Sequence, residues 1–99
     1  MIIFNRTANI AGGKGAGAMA AAHEIASYVK DKHGLELEIL MPIGGNPFRI
    51  TWTARYGSLA DLETMTASLM GDNDYMALTA KNADYFIAGS LRDTIWRTM

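Results

Sequence analysis

The side chains best suited to chemistry in this sequence are arginines on one predicted strand. Arg49 and Arg55 flank two threonines in the run RITWTAR, and its alternation places all four on one side of the strand. If this face borders a cavity, the guanidinium groups could clamp a carboxylate or a polarised carbonyl. If it faces solvent, the arginines are solvated or pair with Glu36, Glu38 or Asp93.

A ligand site is therefore one hypothesis for this chain, and Arg92 of the last predicted strand could extend the same polar face. Trp52 and Tyr56 either anchor the core or an interface, or stack on a ligand. The candidate ligand-binding residues are Asn5, Arg49, Trp52, Arg55 and Arg92. We name no catalytic residue, because no complete catalytic constellation can be recognised, and whether the chain is an enzyme stays open.

Two further motifs have simpler explanations than chemistry. Gly15 and Gly17 belong to a G-x-G-x-x-A match after a strand, and Glu36 follows at about the spacing of a ribose ligand. A nucleotide-binding fold needs a parallel sheet, whereas the later strands here are joined by a short hairpin turn, so turn formation and close packing explain the glycines better. His23 and His33 have no partners at metal-ligand spacing. We expect no bound metal and no cofactor.

The composition predicts one domain, residues 1–99, with a surplus of apolar side chains. Hydrophobic residues make up 49% and charged residues 19%, whereas typical domains reach about 45–50% apolar with glycine included and about 25% charged. The net charge is −1 with both signs interspersed, so we expect neither a nucleic-acid nor a membrane partner. Cysteine is absent, which excludes disulfides, and no export signal is apparent, so we expect a cytoplasmic protein.

The strand that carries the arginines leads directly into a helix, and the rest of the chain is organised around this pair. Alternation runs over about residues 48–56. Ser58 then occupies an N-cap position with Asp61 three residues later, as in a capping box. Apolar residues at helical spacing continue to Leu69, before Gly71.

The predicted elements follow the order strand, helix, strand, strand, helix, short helix, strand. Their approximate ranges are 2–8, 15–33, 35–41, 48–56, 58–69, 73–84 and 89–98. This order predicts an α+β, ferredoxin-like βαββααβ fold with a four-stranded antiparallel sheet and helices on one face. The other face would stay uncovered. Given the apolar surplus, we expect that face to be apolar and to pack on a second copy, forming a homodimer.

The residues resemble a known group over most of the chain. The run TWTARYGSLADLETMTASLMGDNDYMALTAK, followed later by GSLRDTIWR, is similar to the NIPSNAP-like branch of the dimeric α/β-barrel superfamily. The matching features are Trp52, Tyr56, Ser58-Leu59-Ala60, Glu63, Gly71–Asp74, Tyr75, Gly89, Arg92, Trp96 and Arg97.

The resemblance implies a dimer whose two sheets face each other, often around a small cavity. Relatives in the superfamily include cofactor-independent monooxygenases, haem-degrading enzymes, small-molecule isomerases and proteins without an assigned activity. Haem-degrading relatives use an Asn on the first strand, a Trp, and a haem-ligating His on the helix after the third strand. Asn5 and Trp52 could supply the first two, but residues 58–69 contain no His. Haem degradation is therefore disfavoured, and cofactor-free oxygenation loses one of its usual polar groups.

The sequence thus leaves more than one function open. The leading hypothesis is a small dimeric α/β-barrel protein that binds or transforms a small organic molecule in a cavity between the two sheets. The alternatives are a non-catalytic homodimerisation module and a cofactor-independent monooxygenase-like enzyme.

Overall fold

A computed structural model describes all residues, 1–99, as a four-stranded antiparallel sheet with three α-helices. Along the sheet the strands lie in the order β2-β3-β1-β4. The predicted ferredoxin-like arrangement is confirmed. In chain order the elements are β1 (Ile2–Asn9), α1 (Gly15–His33), β2 (Glu38–Leu40), β3 (Arg49–Tyr56), α2 (Leu59–Met70), α3 (Asn73–Lys81), a 3₁₀ helix (Ala83–Tyr85) and β4 (Arg92–Arg97).

Local capping explains where the helices begin and end. At the start of α2, the Ser58 hydroxyl accepts a hydrogen bond of 3.2 Å from the Asp61 backbone N–H. The Asp72 carboxylate accepts one of 3.0 Å from the Tyr75 N–H at the start of α3. Gly34 ends α1 in the left-handed conformation, with φ of 68°, which suits a residue without a side chain. The predicted N-cap at Ser58 therefore agrees with the structure.

The core lies between β3 and the helices. Ala18 and Ala22 of α1 are fully buried against Ile50 and Trp52 of β3. Since alanine side chains are short, α1 can lie close to the sheet. A second cluster joins Tyr56 and its neighbours to α2. The apolar alternation of β3 is thus used on the helix side.

Two strands and one helix are shorter than predicted. Only Glu38–Leu40 of the predicted range 35–41 pairs with β3, because Leu35 and Leu37 pack against the core clusters instead. The last strand begins at Arg92 rather than near Gly89, since Gly89 lies in a turn with φ of 78°. Helix α3 ends at Lys81, and a 3₁₀ turn replaces the rest of the predicted helix.

The sheet face that points away from the helices is polar, so the expectation of an apolar surface there was wrong. Asn5 Oδ1 accepts a hydrogen bond of 2.7 Å from Thr53 Oγ1, and the hydroxyls of Thr7 and Thr51 lie 2.7 Å apart. Because the apolar residues of β3 all turn towards the helices, threonine, asparagine and arginine remain outside. Among the strand residues of this face, the exposed large apolar side chains are Leu40 and Trp96, which lie on the outer strands β2 and β4. The other exposed large apolar side chains are spread over the rest of the chain.

Candidate functional site

Four of the predicted binding residues lie on the uncovered sheet face but do not converge. Arg49 and Arg55 are six residues apart on β3, or about 20 Å at the rise of a strand. Arg49 Nε donates to the Asn46 carbonyl oxygen at 3.2 Å, whereas Arg92 of β4 is exposed. Asn5 is already bonded to a threonine hydroxyl. Within one chain these residues are therefore spread over the face, and a shared site for them stays a prediction.

Trp52 lies on the opposite face, among the helices, apart from the other four candidates. Its side chain is buried, and its indole N–H donates to the Ala22 carbonyl oxygen at 3.3 Å. The ring meets Phe86 edge-on, with 5.7 Å between ring centroids. Trp52 is therefore a core anchor that also borders the cavity on this side of the sheet.

A cavity of about 540 Å³ lies between the sheet and the helices, and we call it the helix-side cavity. Of its 25 lining residues, 18 are hydrophobic. Its size falls within the roughly 300–1,000 Å³ typical of small-molecule sites, which are also mostly apolar. Its lining includes Phe4, Arg6, Tyr56, Thr66, Tyr75 and Asp84.

The cavity exists because the helices cover the sheet unevenly. Helix α1 packs on β2 and β3, and α2 packs on β3. All six residues of β4 are exposed, including Ile95 at 54% on the helix side. Helix α3 and the segment 82–91 border the gap left over β1. The space is a consequence of the fold, and several elements contribute to its lining.

Arg6 on the cavity wall is paired with Asp93, which lies beside the lining, and the side chains of the pair are 38% and 41% exposed. Arg6 Nε and Nη2 each donate to a different oxygen of the Asp93 carboxylate, both at 2.8 Å. This hydrogen bonding raises the pKa of Arg6 above its ordinary value. The guanidinium also lies 5.6 Å from the centre of the Phe4 ring, within range of a cation–π contact. The pair is thus a well-aligned fork on a mostly apolar wall.

Two tyrosines add hydroxyl groups near Arg6. Burial raises the pKa of Tyr75, against the opposing effect of the positive charge on Arg6. Burial likewise raises the pKa of Tyr56. Both hydroxyls therefore stay protonated at neutral pH and can donate hydrogen bonds. Together with Arg6, they make this part of the cavity rich in donors.

The strand pattern contained one sign of this site that the candidate list did not use. Ile2, Phe4 and Arg6 share one face of β1, so an arginine interrupts an otherwise apolar face. Such a position often marks a paired or functional charge. The partner, Asp93, lies opposite Arg6 in the register of β1 and β4, and that register could not be read from the sequence.

A second polar cluster joins the end of α1 to the start of α3. His33 Nε2 lies 2.8 Å from an Asp72 carboxylate oxygen, and the Tyr28 hydroxyl donates to the same carboxylate at 2.8 and 3.0 Å. These bonds, that of His33 foremost, lower the pKa of Asp72 to about 2. The bond to Asp72 raises the pKa of Tyr28 to about 12. None of the three lines the helix-side cavity, so the cluster acts as a tie between helices.

The structure also shows the surroundings of the glycine motif and of His23. The ring of Tyr85 occupies the space that a Cβ atom at Gly17 would need, which supports close packing as the reason for that glycine. His23 lines an open, polar groove between α1 and residues 34–39. No group of three His, Cys, Asp or Glu side chains is placed to hold a metal ion. No helix has the length and apolar character needed to cross a membrane.

Solved structures with the same fold supply the comparison, since no protein-family model and no curated protein matches the sequence. An uncharacterised NIPSNAP domain protein from Burkholderia xenovorans superposes with a TM-score of 0.84 at 14% identity, covering 100% of this chain and 95% of that one. A NIPSNAP family protein of unknown function from Agrobacterium tumefaciens gives 0.80 at 20% identity, covering 97% and 86%.

A third similar structure is an antibiotic biosynthesis monooxygenase-like protein from Nitrosomonas europaea. Its TM-score is 0.72 at 16% identity, covering 100% of this chain and 99% of that one. The structural neighbours thus include NIPSNAP proteins, as the sequence resemblance predicted. At these identities the similarity establishes the shared ferredoxin-like α+β fold, and the activity must be argued from the site itself.

Proposed function

We propose that this protein binds a small, largely apolar organic molecule in the helix-side cavity of a single chain. The observation that carries the proposal is the apolar cavity of about 540 Å³ with a few polar side chains on its wall. Apolar lining supplies affinity in such sites, while a small number of polar groups orient the ligand. Here Arg6, Tyr56 and Tyr75 are those groups.

This proposal moves the ligand from the position that the sequence suggested. A cavity between two sheets would need a second copy, and its candidate residues Asn5, Arg49, Arg55 and Arg92 are spread over the uncovered face. That arrangement stays a prediction. Only Trp52 of the original candidates borders the helix-side cavity.

Binding, rather than catalysis, is the function that we propose for the cavity. Its lining contains no histidine and no cysteine. The hydroxyls of Ser90, Thr66 and Thr79 donate to backbone carbonyl oxygens rather than to a base, so no activated nucleophile is recognisable. Monooxygenase-like neighbours share the fold, but no observation on this chain favours their reaction over binding alone.

The test is displacement or uptake of a neutral fluorescent probe, phenyl-naphthylamine, by the protein and two matched variants. Thr66 and Thr64 are both exposed residues of α2, but only Thr66 lines the cavity. Thr66→Trp should fill part of the space and weaken probe binding by about tenfold or more, equivalent to about 1.4 kcal/mol. Thr64→Trp should leave it unchanged. Equal binding by both variants, or no binding by the parent protein, would contradict the proposal.

A second candidate function is homodimerisation through the uncovered sheet face. Support comes from Leu40 and Trp96, which are 43% and 61% exposed. By strand register both lie on that face, paired with Thr51 and Ile3. They would frame a polar centre with apolar contacts at both outer strands. Analytical ultracentrifugation at micromolar concentration should detect a dimer that Trp96→Lys weakens, and a stable monomer would exclude this function.

A further inference from the structure

The charged groups at the helix-side cavity affect which ligands it can accept. We propose, on the basis of the binding function above, that the Arg6–Asp93 pair makes the cavity select neutral carbonyl compounds over carboxylates. Arg6 supplies the hydrogen bonds to the ligand, and Asp93 sets the preference for a neutral group.

Arg6 has hydrogen-bond donors that Asp93 does not use. A guanidinium carries about five N–H groups arranged as a planar fork. Asp93 uses one on Nε and one on Nη2. The remaining N–H groups, on Nη1 and Nη2, form a second edge. The Tyr75 hydroxyl interacts with Arg6, and a ligand oxygen that replaces or joins it on this edge would not displace Asp93. Arg6 lies on the cavity wall, so this second edge is the natural partner for an acceptor oxygen of a ligand.

The charges on and beside the cavity wall disfavour an anionic ligand. Asp93 neutralises Arg6, and the other charged residue of the lining, Asp84, is acidic. A lysine, Lys14, lies beside Asp84, and its ammonium group donates a hydrogen bond of 3.3 Å to the Asp84 carbonyl oxygen. A carboxylate ligand would therefore add an anion to a region without an uncompensated cation on its wall. Although the Arg6–Asp93 pair is itself partly exposed, moving an anion from water against the mostly apolar lining would cost desolvation free energy that the neutralised pair does not repay.

A carbonyl group avoids this cost because it brings acceptor oxygen without charge. The site is well supplied with donors for it, since Tyr56 and Tyr75, each with a hydroxyl group, line the same cavity as Arg6. Hydrogen bonds to a charged donor are among the stronger ones in proteins. The geometry thus assigns Arg6 to positioning the oxygen and Asp93 to excluding anions.

The experiment uses three compounds with one skeleton: methyl naphthyl ketone, naphthoate and ethylnaphthalene. Each is titrated against the full chain loaded with phenyl-naphthylamine, and displacement gives its affinity. The ketone should bind about tenfold or more tightly than the hydrocarbon, which lacks the hydrogen bond, and also more tightly than naphthoate.

The decisive variant is Asp93→Asn, which keeps an acceptor oxygen for Arg6 but removes the negative charge. Naphthoate affinity should rise by about tenfold or more, while the ketone should change by less than about threefold. Asp31→Asn, on exposed α1 surface outside the cavity lining, makes the same charge change and should affect neither compound. In Arg6→Lys, which lacks the fork, the ketone should lose its advantage over ethylnaphthalene.

The outcomes separate this proposal from the binding function. Equal affinity of ketone and naphthoate in the parent protein, or an unchanged ratio in Asp93→Asn, would overturn the selection while binding stands. Displacement by none of the three compounds would overturn both. A ketone preference that shifts towards naphthoate only in Asp93→Asn would support it. Thermal melting of each variant verifies that it is folded, and Asp93→Ser replaces Asp93→Asn if the latter fails this check.

Discussion

The two halves of the sheet are built differently, because α1 and α2 pack on β2 and β3 whereas α3 and residues 82–91 border the gap over β1. Over β3, the fully buried alanines of α1 belong to one core cluster with Ile50, which the neighbouring Ala8 of β1 completes. Over β1, the sheet carries Phe4 and Arg6, and the covering elements stand away from it. The first half provides the packed core, while the second half provides a cavity with a charged pair beside it.

One small fold can thus combine a stable core with a ligand site. Short side chains bring α1 close to β3, so burial there is complete and stabilising. A long arginine on β1 is held by Asp93 of the exposed strand β4, so the space beside it does not need to close for the charge to be satisfied. Stability and binding are therefore assigned to different strands of one sheet.

The largest effect on stability is expected from a substitution in the packed half of the sheet. Ile50 is fully buried on β3, and Ile95 is 54% exposed on β4, on the same side of the sheet. Ile50→Ala should lower the free energy of unfolding by about 2–5 kcal/mol, because it leaves a cavity in a close-packed core. Ile95→Ala should change it by no more than about 0.5 kcal/mol. Urea denaturation of both variants gives the comparison, and similar losses would show that the two halves are equally packed.

The next prediction uses pH to loosen the link between the two halves. Asp72 ties the end of α1 to α3, which borders the cavity. Its pKa is lowered from 3.8 to about 2 in the folded protein. The unfolded chain therefore takes up this proton first as the pH falls, and the stabilisation, complete above pH 3.8, is lost towards pH 2.

Melting temperature against pH measures this effect. Asp72→Asn should melt at a lower temperature than the parent at pH 6, and its curve should be flatter between about pH 4 and pH 2, because the titrating group is gone. Asp31→Asn is the control, since Asp31 lies on the exposed surface of α1. Parallel curves for the parent and Asp72→Asn would mean that other carboxyls cause the acid sensitivity.

The smallest effect concerns the helix that borders both halves. Ser58→Ala removes the hydroxyl that caps α2 and should cost about 1 kcal/mol of unfolding free energy. Ser68→Ala, at an exposed position within the same helix, should be neutral or slightly stabilising because alanine favours helix. The pair is measured by urea denaturation. A cost at Ser68 equal to that at Ser58 would remove capping as the explanation.

The sequence was sufficient for the fold because its signals are local. Alternation in β3 and the cap at Ser58 depend on neighbouring residues, and both were correctly placed. The range of β2 was overestimated because Leu35 and Leu37 are drawn into core packing by elements that are distant in sequence. Alternation alone cannot distinguish a paired strand from an extended segment whose apolar residues pack elsewhere.

The site was harder to predict than the fold because it depends on register and on absence of packing. Asp93 meets Arg6 only after β4 returns beside β1. The sequence also placed the arginines of β3 at a cavity by their type, whereas their spacing along the strand separates them. No residue pattern announces that a helix will stand away from part of a sheet, so the cavity could be found only from the structure.

The exposure of β4 has a consequence for how the protein behaves in solution. As an outer strand of the sheet, β4 has unpaired backbone amide and carbonyl groups along its free edge, and such edges can recruit strands from other chains into aggregates. Three of its six residues, Arg92, Asp93 and Arg97, are charged. Charged side chains at an edge oppose that kind of strand addition, so the acid that balances Arg6 also helps to keep the molecule from joining its neighbours edge to edge.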